Sequence, residues 1–192
     1  MKESLAEAPL LTQVEDVWES ADCLYTDEQL ELAVSLLAEE ICTDMSDKNP
    51  VVLCVMNGGL ITTGQLLPKL PFMMQFDYIH VTRYRNGTQG HNLDWLVEPR
   101  VSLADRTVMI VDDIFDEGVT LAEIQAFCRR EGANEVRTVV LVEKEHERKA
   151  PGAVVDYVAV KVPDRYVFGF GMDYKGYLRN APGIFALKNS ND

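Results

Sequence analysis

The sequence predicts an α/β fold, a parallel β-sheet core flanked by helices with a small hood, and three observations lead to it. Apolar runs of strand length alternate with segments of helical spacing. Residues 51–55 and 108–111 are continuously apolar, which is typical of parallel strands buried on both faces. A turn containing glycine follows each of these runs and leads into a helical pattern. Strands that alternate with helices in this way form parallel sheets.

The first predicted helix covers residues 27–43. Thr26 and Gln29 form a capping-box pattern, and apolar residues follow at helical spacing. Two further helices are predicted over residues 60–67, which stop at Pro68, and residues 121–130, which close at Gly132.

Strands are predicted where β-branched and apolar residues cluster. They cover residues 51–55, 76–83, 108–111, 136–142 and 154–162. Residues 85–98 contain two glycines and several polar side chains, which predicts a long loop, often a lid over a site. Ligands of such sheets bind at the carboxyl ends of the strands.

The chain is predicted to form one domain over residues 1–192. With 192 residues, of which 47% are hydrophobic, it can bury one substantial core. The alternating elements span about residues 21–163. Residues 164–192 are rich in aromatic residues and glycine and leave this pattern, so together with residues 1–20 they are expected to form a small hood over the ligand crevice.

Composition excludes several classes of partner. The formal net charge of −13 argues against nucleic acid and favours a small ligand whose charge is handled locally. The four cysteines show no CxxC pairing, which indicates free thiols in a reducing cytoplasm. No signal peptide is recognisable and no apolar run approaches the roughly 20 residues of a membrane span, so no membrane partner is expected.

The most informative stretch is VMIVDDIFDEGVTLAEI, residues 108–124. It predicts a buried strand, a turn and a helix whose N-terminus suits an anion. The turn nevertheless carries four acids: Asp112, Asp113, Asp116 and Glu117. Two unit charges about 6 Å apart repel by roughly 3 kcal/mol at an effective dielectric near 20, so these acids would expel a bare phosphate unless they faced elsewhere or shared a cation.

A sugar phosphate resolves this conflict. The backbone N–H groups of residues 117–120 and the Thr120 hydroxyl can hold the phosphate. Asp112 and Asp113 can accept hydrogen bonds from a ribose 2,3-diol and help to recruit Mg²⁺. The acids would then face the sugar, and the main chain would face the phosphate.

The segment VMIVDDIFDEGVT resembles the signature of the type I phosphoribosyltransferases, which bind 5-phosphoribosyl 1-pyrophosphate. Residues 51–59 (VVLCVMNGG), 136–144 (VRTVVLVEK) and 163–179 (PDRYVFGFGMDYKGYLR) lie in the order and spacing seen in hypoxanthine-guanine phosphoribosyltransferases. The resemblance covers about residues 50–180. It implies the type I phosphoribosyltransferase fold, a homodimer or homotetramer, and Mg²⁺-dependent transfer of phosphoribose to N9 of hypoxanthine, guanine or xanthine, which releases pyrophosphate.

The resemblance also implies a role for each matching residue of the strand-to-helix corner. Asp112 and Asp113 would hold the ribose hydroxyls and, with Asp173, would ligate Mg²⁺. Asp116 would be the general base, or proton acceptor, at purine N7. The 5′-phosphate would be bound by four consecutive residues: Glu117, Gly118, Val119 and Thr120. Many relatives have threonine in place of Glu117, whose carboxylate would point outward here.

Other implied residues would hold the pyrophosphate. Asn57, Gly58 and Gly59 would form a loop which in the family contains a cis peptide just before the glycines. Arg179 would contact the pyrophosphate directly. Many relatives carry lysine or arginine in place of Asn57, so cationic assistance would fall on Arg179 or Arg83.

A third set would recognise the base and close the site. Lys144 would donate to the 6-oxo group, Tyr166 would stack on the purine, and Val167 would read its edge through backbone groups. A loop that begins at Arg83 and Tyr84 would close over the reacting bond. Lysine opposite the 6-position would reject adenine, because an ammonium would face an amino donor.

Less specific interpretations stay open at this point. In isolation, Asp112 and Asp113 are more often a solvated strand end, Tyr166 a packed strand residue, and Arg83 an ordinary edge residue. The three histidines share no ligand spacing and are assigned no chemistry. A phospho-acceptor module of the receiver type, or a transferase fold kept as a ligand-sensing regulator, would explain part of the pattern.

Overall fold

The computed structural model describes residues 4–83 and 93–188, and the side chains of residues 10–82 and 94–188. The helices are α1 Ser4–Ser20, α2 Asp27–Met45, α3 Leu60–Leu66, which a 3₁₀ turn at Leu67–Lys69 extends, and α4 Val119–Arg130. The strands are β1 Asp22–Thr26, β2 Val51–Met56, β3 Gln75–Arg83, β4 Leu93–Val97, β5 Thr107–Phe115, β6 Glu135–Glu145, β7 Tyr157–Pro163, β8 Val167–Phe168 and β9 Gly183–Ala186. No helix within the described ranges combines the length and apolar character that crossing a bilayer requires.

A six-stranded sheet in the order β4-β3-β2-β5-β6-β7 forms the centre of the fold. The pairs β3–β2, β2–β5, β5–β6 and β6–β7 are parallel, and β4 joins the edge antiparallel to β3. The predicted α/β class with a parallel core is therefore confirmed. β2 and β5 occupy the middle of the sheet, and their carboxyl ends carry the glycine-rich turn and the acidic corner.

The core lies on both faces of this sheet, because successive residues of a strand point to opposite sides. On one face, Val52 packs in the cluster that contains Leu30 and Ile41 of α2. On the other face, Leu53 packs with Leu121 and Ile124 of α4. Full burial of each such side chain contributes about 1.5–3 kcal/mol, so the two helix layers fix the position of the turns above the sheet.

The start of α2 has the predicted capping box. Thr26 Oγ1 accepts from the Gln29 backbone N–H at 3.4 Å, and Gln29 Oε1 accepts from the Thr26 N–H at 2.9 Å. These two bonds satisfy backbone donors that a helix leaves free at its N-terminus. The helix ends at Met45, two residues later than predicted.

A second, three-stranded sheet in the order β1-β9-β8 lies outside the main sheet. Its small core contains Val14 of α1, Phe168 and Tyr174, and the rings of Trp18 and Phe185 lie 4.9 Å apart. The sequence analysis placed residues 22–26 in the main core, whereas pairing with β9 puts them in this sheet. The division of the chain into core and hood itself stays a prediction.

Several strands differ from the prediction, and β7 begins at Tyr157, three residues later than predicted. β5 continues to Phe115, so Asp112 and Asp113 lie in the strand and not in the turn. β6 continues to Glu145 and includes Lys144. β4 occupies part of the predicted loop over residues 85–98, and the rest of that loop up to residue 92, with Tyr84 before it, lies outside the described residues.

Candidate active site

The corner between β5 and α4 is built around Gly118. This residue has a φ of 80°, in the left-handed region, and a Cβ there would lie 2.3 Å from a ring carbon of Phe115. Only glycine fits both conditions. Because Gly118 is the N-cap of α4 and has no side chain to cap the helix, the first N–H groups of α4 can serve an anion.

The turn after β2 lies directly against this corner. The peptide bond between Met56 and Asn57 is cis, at the place that the resemblance implies. A Cβ on Gly58 would lie 2.0 Å from Asp113 Oδ2, and one on Gly59 would lie 2.6 Å from the Val111 carbonyl oxygen. The two glycines therefore let the β2 turn approach the acidic end of β5.

A cleft of about 490 Å³ opens between these two turns. Nine of the predicted site residues line it: Asn57, Gly58, Asp112, Asp113, Asp116, Gly118, Thr120, Asp173 and Arg179. His80 and Thr82 of β3 also line it, although the sequence analysis gave them no role. One wall of the cleft is acidic and another presents a helix N-terminus, as a sugar phosphate requires.

A second cavity of about 220 Å³ adjoins the first. It is lined by Asp113, Ile114, Asp116, Lys144, Tyr166, Val167, Met172 and Asp173. Asp113, Asp116 and Asp173 border both cavities. A flat apolar ring in the smaller cavity would thus lie beside a sugar in the larger one.

The two acids of β5 are close enough to disturb each other's ionisation. Burial, with repulsion from Asp113 added to it, raises the pKa of Asp112 well above its ordinary value. Burial also raises the pKa of Asp113. Donors or a cation in the cleft would favour the charged forms of both carboxyl groups.

Asp173 and Arg179 form an ion pair across the same cleft. Arg179 Nη2 donates to Asp173 Oδ1 at 2.7 Å, and Nη1 donates to the Gly171 carbonyl at 2.6 Å. The Gly176 N–H donates to Asp173 Oδ2 at 2.7 Å. Asp173, the predicted metal ligand, and Arg179, the predicted pyrophosphate contact, are therefore paired with each other in this structure.

Asp116 is held by two groups at the end of β6. Lys144 Nζ lies 2.9 Å from Oδ2, and His146 Nε2 lies 2.8 Å from Oδ1. Burial acts to raise the pKa of Asp116, but the hydrogen bonds from Lys144 and His146 outweigh it and lower the pKa. His146 was missed in the sequence analysis, although its spacing of two from Lys144 puts both side chains on one face of an extended segment.

Lys149 is a second residue that the sequence analysis missed. Its ammonium donates to the carbonyl oxygens of Phe115, Asp116 and Lys144 at 2.8–3.0 Å and lies 4.0 Å from the centre of the Phe115 ring. Burial lowers the pKa of this lysine. The contacts tie the β5–α4 corner to the end of β6, which carries Lys144.

Three predicted residues within the described part of the chain line neither cavity, and two more cannot be placed because their side chains lie outside it. Gly59 packs beneath the β2 turn, while Glu117 accepts a backbone hydrogen bond from Ala150 through its carbonyl at 2.7 Å. Val119 begins α4. The Arg83 side chain and all of Tyr84 lie outside the described residues. The roles of these residues, like those of the predicted residues that line the cavities, stay predictions.

Comparison with known proteins defines the class to which this fold and site belong. Residues 20–175 match the family model described as the phosphoribosyl transferase domain. The match spans well over half of the chain, and the chain therefore belongs to this family.

The similar proteins share one activity in their names. The hypoxanthine-guanine-xanthine phosphoribosyltransferase of Tritrichomonas foetus is 29% identical over 186 residues, which cover 97% of this chain and 98% of the relative. The hypoxanthine-guanine phosphoribosyltransferase of Bacillus subtilis is 30% identical over 166 residues, or 86% and 92% of the two chains. A solved hypoxanthine phosphoribosyltransferase from Staphylococcus aureus superimposes with a TM-score of 0.81 at 27% identity and covers 87% of this chain and 91% of that one.

Proposed function

We propose that this protein is a purine-salvage phosphoribosyltransferase. It transfers 5-phosphoribose from 5-phosphoribosyl 1-pyrophosphate to N9 of hypoxanthine, guanine or xanthine, and hypoxanthine and guanine give IMP and GMP. The observation that carries the proposal is the pair of adjoining cavities that share Asp113, Asp116 and Asp173. A regulator that only senses a sugar phosphate would need the larger cavity, but not a second one lined by Lys144 and Tyr166.

The donor is bound through its phosphate and its ribose. The N–H groups at the start of α4 and the Thr120 hydroxyl bind the 5′-phosphate, where the helix dipole favours negative charge. Asp112 and Asp113 accept from the ribose hydroxyls. Support comes from the lining of the larger cleft, where Gly118 and Thr120 lie on the same cavity as both acids.

The base is recognised in the smaller cavity. Tyr166 and Met172 offer flat and apolar contacts to the ring, and Val167 offers its backbone groups. Lys144 donates to the 6-oxo group. Adenine presents an amino donor at that position, so it offers no acceptor in exchange for the Asp116 carboxylate that Lys144 has to leave, and this mismatch costs far more than a lost methyl contact.

Departure of pyrophosphate leaves a cationic, oxocarbenium-like ribose and concentrates negative charge on the leaving group. Arg179 stabilises that charge more in the transition state than in the ground state, provided it leaves Asp173 or shares it. Asp116 accepts the proton at N7. The predicted loop that begins at Arg83 and Tyr84 is proposed to exclude water, which would otherwise capture the cationic centre; its residues 84–92 lie outside the described part of the chain.

The residues of the larger cleft fit Mg²⁺. Asp112, Asp113 and Asp173 supply the oxygen ligands that this ion prefers, and all three line one cavity. Mg²⁺ is commonly held by one or two carboxylates together with substrate phosphates, so these residues need not converge as a complete cage. When bound, Mg²⁺ neutralises charge on the pyrophosphate.

A different set of groups comes closer together. Within the described residues, donor atoms of Asp116, His146 and Asp164 all lie within 4.8 Å of one another. These atoms already bond to Lys144, to each other and to Arg148. We therefore do not place the metal there.

The assembly and location of the protein belong to the same proposal. We expect a homodimer or homotetramer that acts in the cytoplasm. The four cysteines are free thiols, which is compatible with a reducing compartment.

The function is tested by measuring pyrophosphate release with hypoxanthine, guanine, xanthine and adenine, each with and without Mg²⁺. We expect release with 6-oxopurines only, and only when Mg²⁺ is present. Release with adenine alone would contradict the assignment of Lys144. No release with any purine, in a protein that still binds 5-phosphoribosyl 1-pyrophosphate, would favour the regulator.

A further inference from the structure

The carboxylate of Asp116 is bound by two groups that differ in kind. Lys144 is a mobile cation on a flexible stem, whereas His146 is a rigid ring. The side chain of Asp116 is 39% exposed, that of Lys144 is 12% exposed and that of His146 only 5%. The histidine therefore approaches Asp116 from within the protein, behind the face that the cavities leave open.

Hydrogen bonds fix the orientation and tautomer of this ring. The backbone N–H of Arg148 donates to His146 Nδ1 at 3.1 Å, so Nδ1 accepts and carries no hydrogen. Nε2 then carries the ring hydrogen and donates to Asp116 Oδ1. Arg148 is itself anchored, because its guanidinium makes two bonds to Asp164 at 2.7 and 3.0 Å.

The two partners of Asp116 face different demands during the reaction. In the proposed function, Lys144 has to donate to the 6-oxo group of the base, which draws its ammonium from Asp116. His146 does not line either cavity and can keep its bond. We propose that His146 is a positioning residue, which holds the Asp116 carboxylate in place while Lys144 binds the purine. This inference rests on the proposed function.

The charged groups around Asp116 predict the direction in which its pKa changes when His146 is replaced. Lys144 on β6 and His146 just after this strand bind the carboxylate, and the Lys149 ammonium lies at the Asp116 carbonyl. Asp164, which is paired with Arg148, has a carboxylate oxygen within 4.8 Å of a carboxylate oxygen of Asp116 and of a ring nitrogen of His146. Because the histidine bond stabilises the carboxylate form, its removal should make Asp116 bind its proton more tightly. The acid limb of the pH–rate profile should then move to higher pH.

Two amide replacements provide a matched pair. The amide nitrogen of glutamine falls near the position of Nε2, whereas the amide nitrogen of asparagine falls near that of Nδ1. His146→Gln keeps a donor for Asp116, and His146→Asn loses it at similar polarity. Glu147→Gln, at an exposed neighbouring position, controls for a change of charge in the segment.

The experiment measures kcat and KM for hypoxanthine and for 5-phosphoribosyl 1-pyrophosphate from about pH 3 to 9, because the lowered pKa of Asp116 places the acid limb at low pH, with circular dichroism to verify folding at each pH. We expect His146→Asn to lower kcat about tenfold or more, since a hydrogen bond to a charged group contributes roughly 1.5–3 kcal/mol. KM for the phosphoribosyl donor should stay within about twofold, and the acid limb should shift upward. His146→Gln should restore most of the rate and the original limb.

Two outcomes would overturn the inference while leaving the transferase function intact. One is an unchanged rate in all variants. The other is an equal loss in the Gln and Asn variants with the acid limb unmoved, which would indicate a purely structural role. Absence of turnover in the unmodified protein would instead contradict the proposed function, and the inference with it.

Discussion

At the scale of single residues, the acids of the site differ because their surroundings differ. Burial at the end of the strand raises the pKa of Asp112 and Asp113, and repulsion from Asp113 adds to the rise at Asp112. Asp116, three residues later, accepts from Lys144 and His146, which lower its pKa despite burial. A proton acceptor that is ionised before the base binds needs the second environment and not the first.

The substitution Asp116→Asn tests this assignment. The amide keeps the size of the side chain but is a far weaker base, so kcat should fall by about 10²-fold or more, as expected for loss of a general base. Affinity for 5-phosphoribosyl 1-pyrophosphate should change little, because Asp116 is not expected to bind the donor. Steady-state kinetics and a direct binding titration separate the two quantities. Equal losses in turnover and donor affinity would remove the proton-acceptor role.

At the scale of elements, the β5–α4 corner depends on a glycine in two ways. Gly118 has a φ of 80°, which disfavours any L side chain, and its Cβ position is also filled by Phe115. Gly152 has a similar φ of 82°, but no atom lies within 4 Å of its Cβ position. Alanine substitutions at Gly152 and Gly118 therefore separate two contributions to the free energy of unfolding: the strain of a left-handed backbone and the steric clash of a Cβ atom.

Gly152→Ala should lower the free energy of unfolding by about 1–2 kcal/mol, the ordinary cost of a left-handed alanine. Gly118→Ala should cost clearly more, because the corner has to move, and it should also weaken donor binding through the N-terminus of α4. Urea unfolding and a binding titration measure both effects. If both substitutions lowered the free energy of unfolding by the same amount, the close approach of Phe115 would contribute nothing to the cost at Gly118.

Local pattern predicted most elements of the main sheet, and the exceptions have physical reasons. Continuous apolar runs such as β2 are recognisable because both faces of the strand are buried. The end of β5 was missed because two consecutive aspartates are more typical of a turn than of a strand. Only the cleft beside them explains why they lie within the strand. β4 is a short edge strand inside a polar stretch, and only its pairing with β3 makes it a strand. Such pairing is invisible to local periodicity.

The candidate site was predicted to a similar extent. The residues of the β5–α4 corner, Lys144 and Arg179 came from their motifs. His146 and Lys149 did not, because their partners lie about thirty residues away in sequence and meet them only where β6 runs beside β5. A motif along the chain identifies side chains that line the cleft, but it misses side chains that hold them in place from a neighbouring strand.

At the scale of the whole molecule, the reactivity of the four thiols depends on how deeply each is buried in the fold. Cys54 and Cys128 are buried in or beside the main sheet, and Cys23 is exposed on β1. Burial raises the pKa of Cys54, and it raises the pKa of Cys128 to about 12. Since the thiolate is the reactive form, both buried residues should be inert in the folded protein.

Labelling with an aromatic disulfide reagent at pH 8 should therefore modify Cys23 first. Cys42 should follow more slowly, and Cys54 and Cys128 should react only when urea unfolds the chain. Mass spectrometry of digested protein assigns each modified residue, and Cys23→Ser serves as the control for the fast phase. Rapid labelling of all four thiols without denaturant would contradict the packing of the core.

The ion pairs of Lys144 and Arg179 affect how strongly the site can bind a ligand. Before a ligand binds, Lys144 is paired with Asp116 and Arg179 with Asp173. Neither cation is therefore left unpaired in a confined space. A substrate that captures them replaces one attraction with another of similar size. The net affinity for that substrate is then a small difference between two large interaction energies, the new one with the ligand and the lost one with Asp116 or Asp173. Only ligands whose acceptors match these carboxylates should bind well.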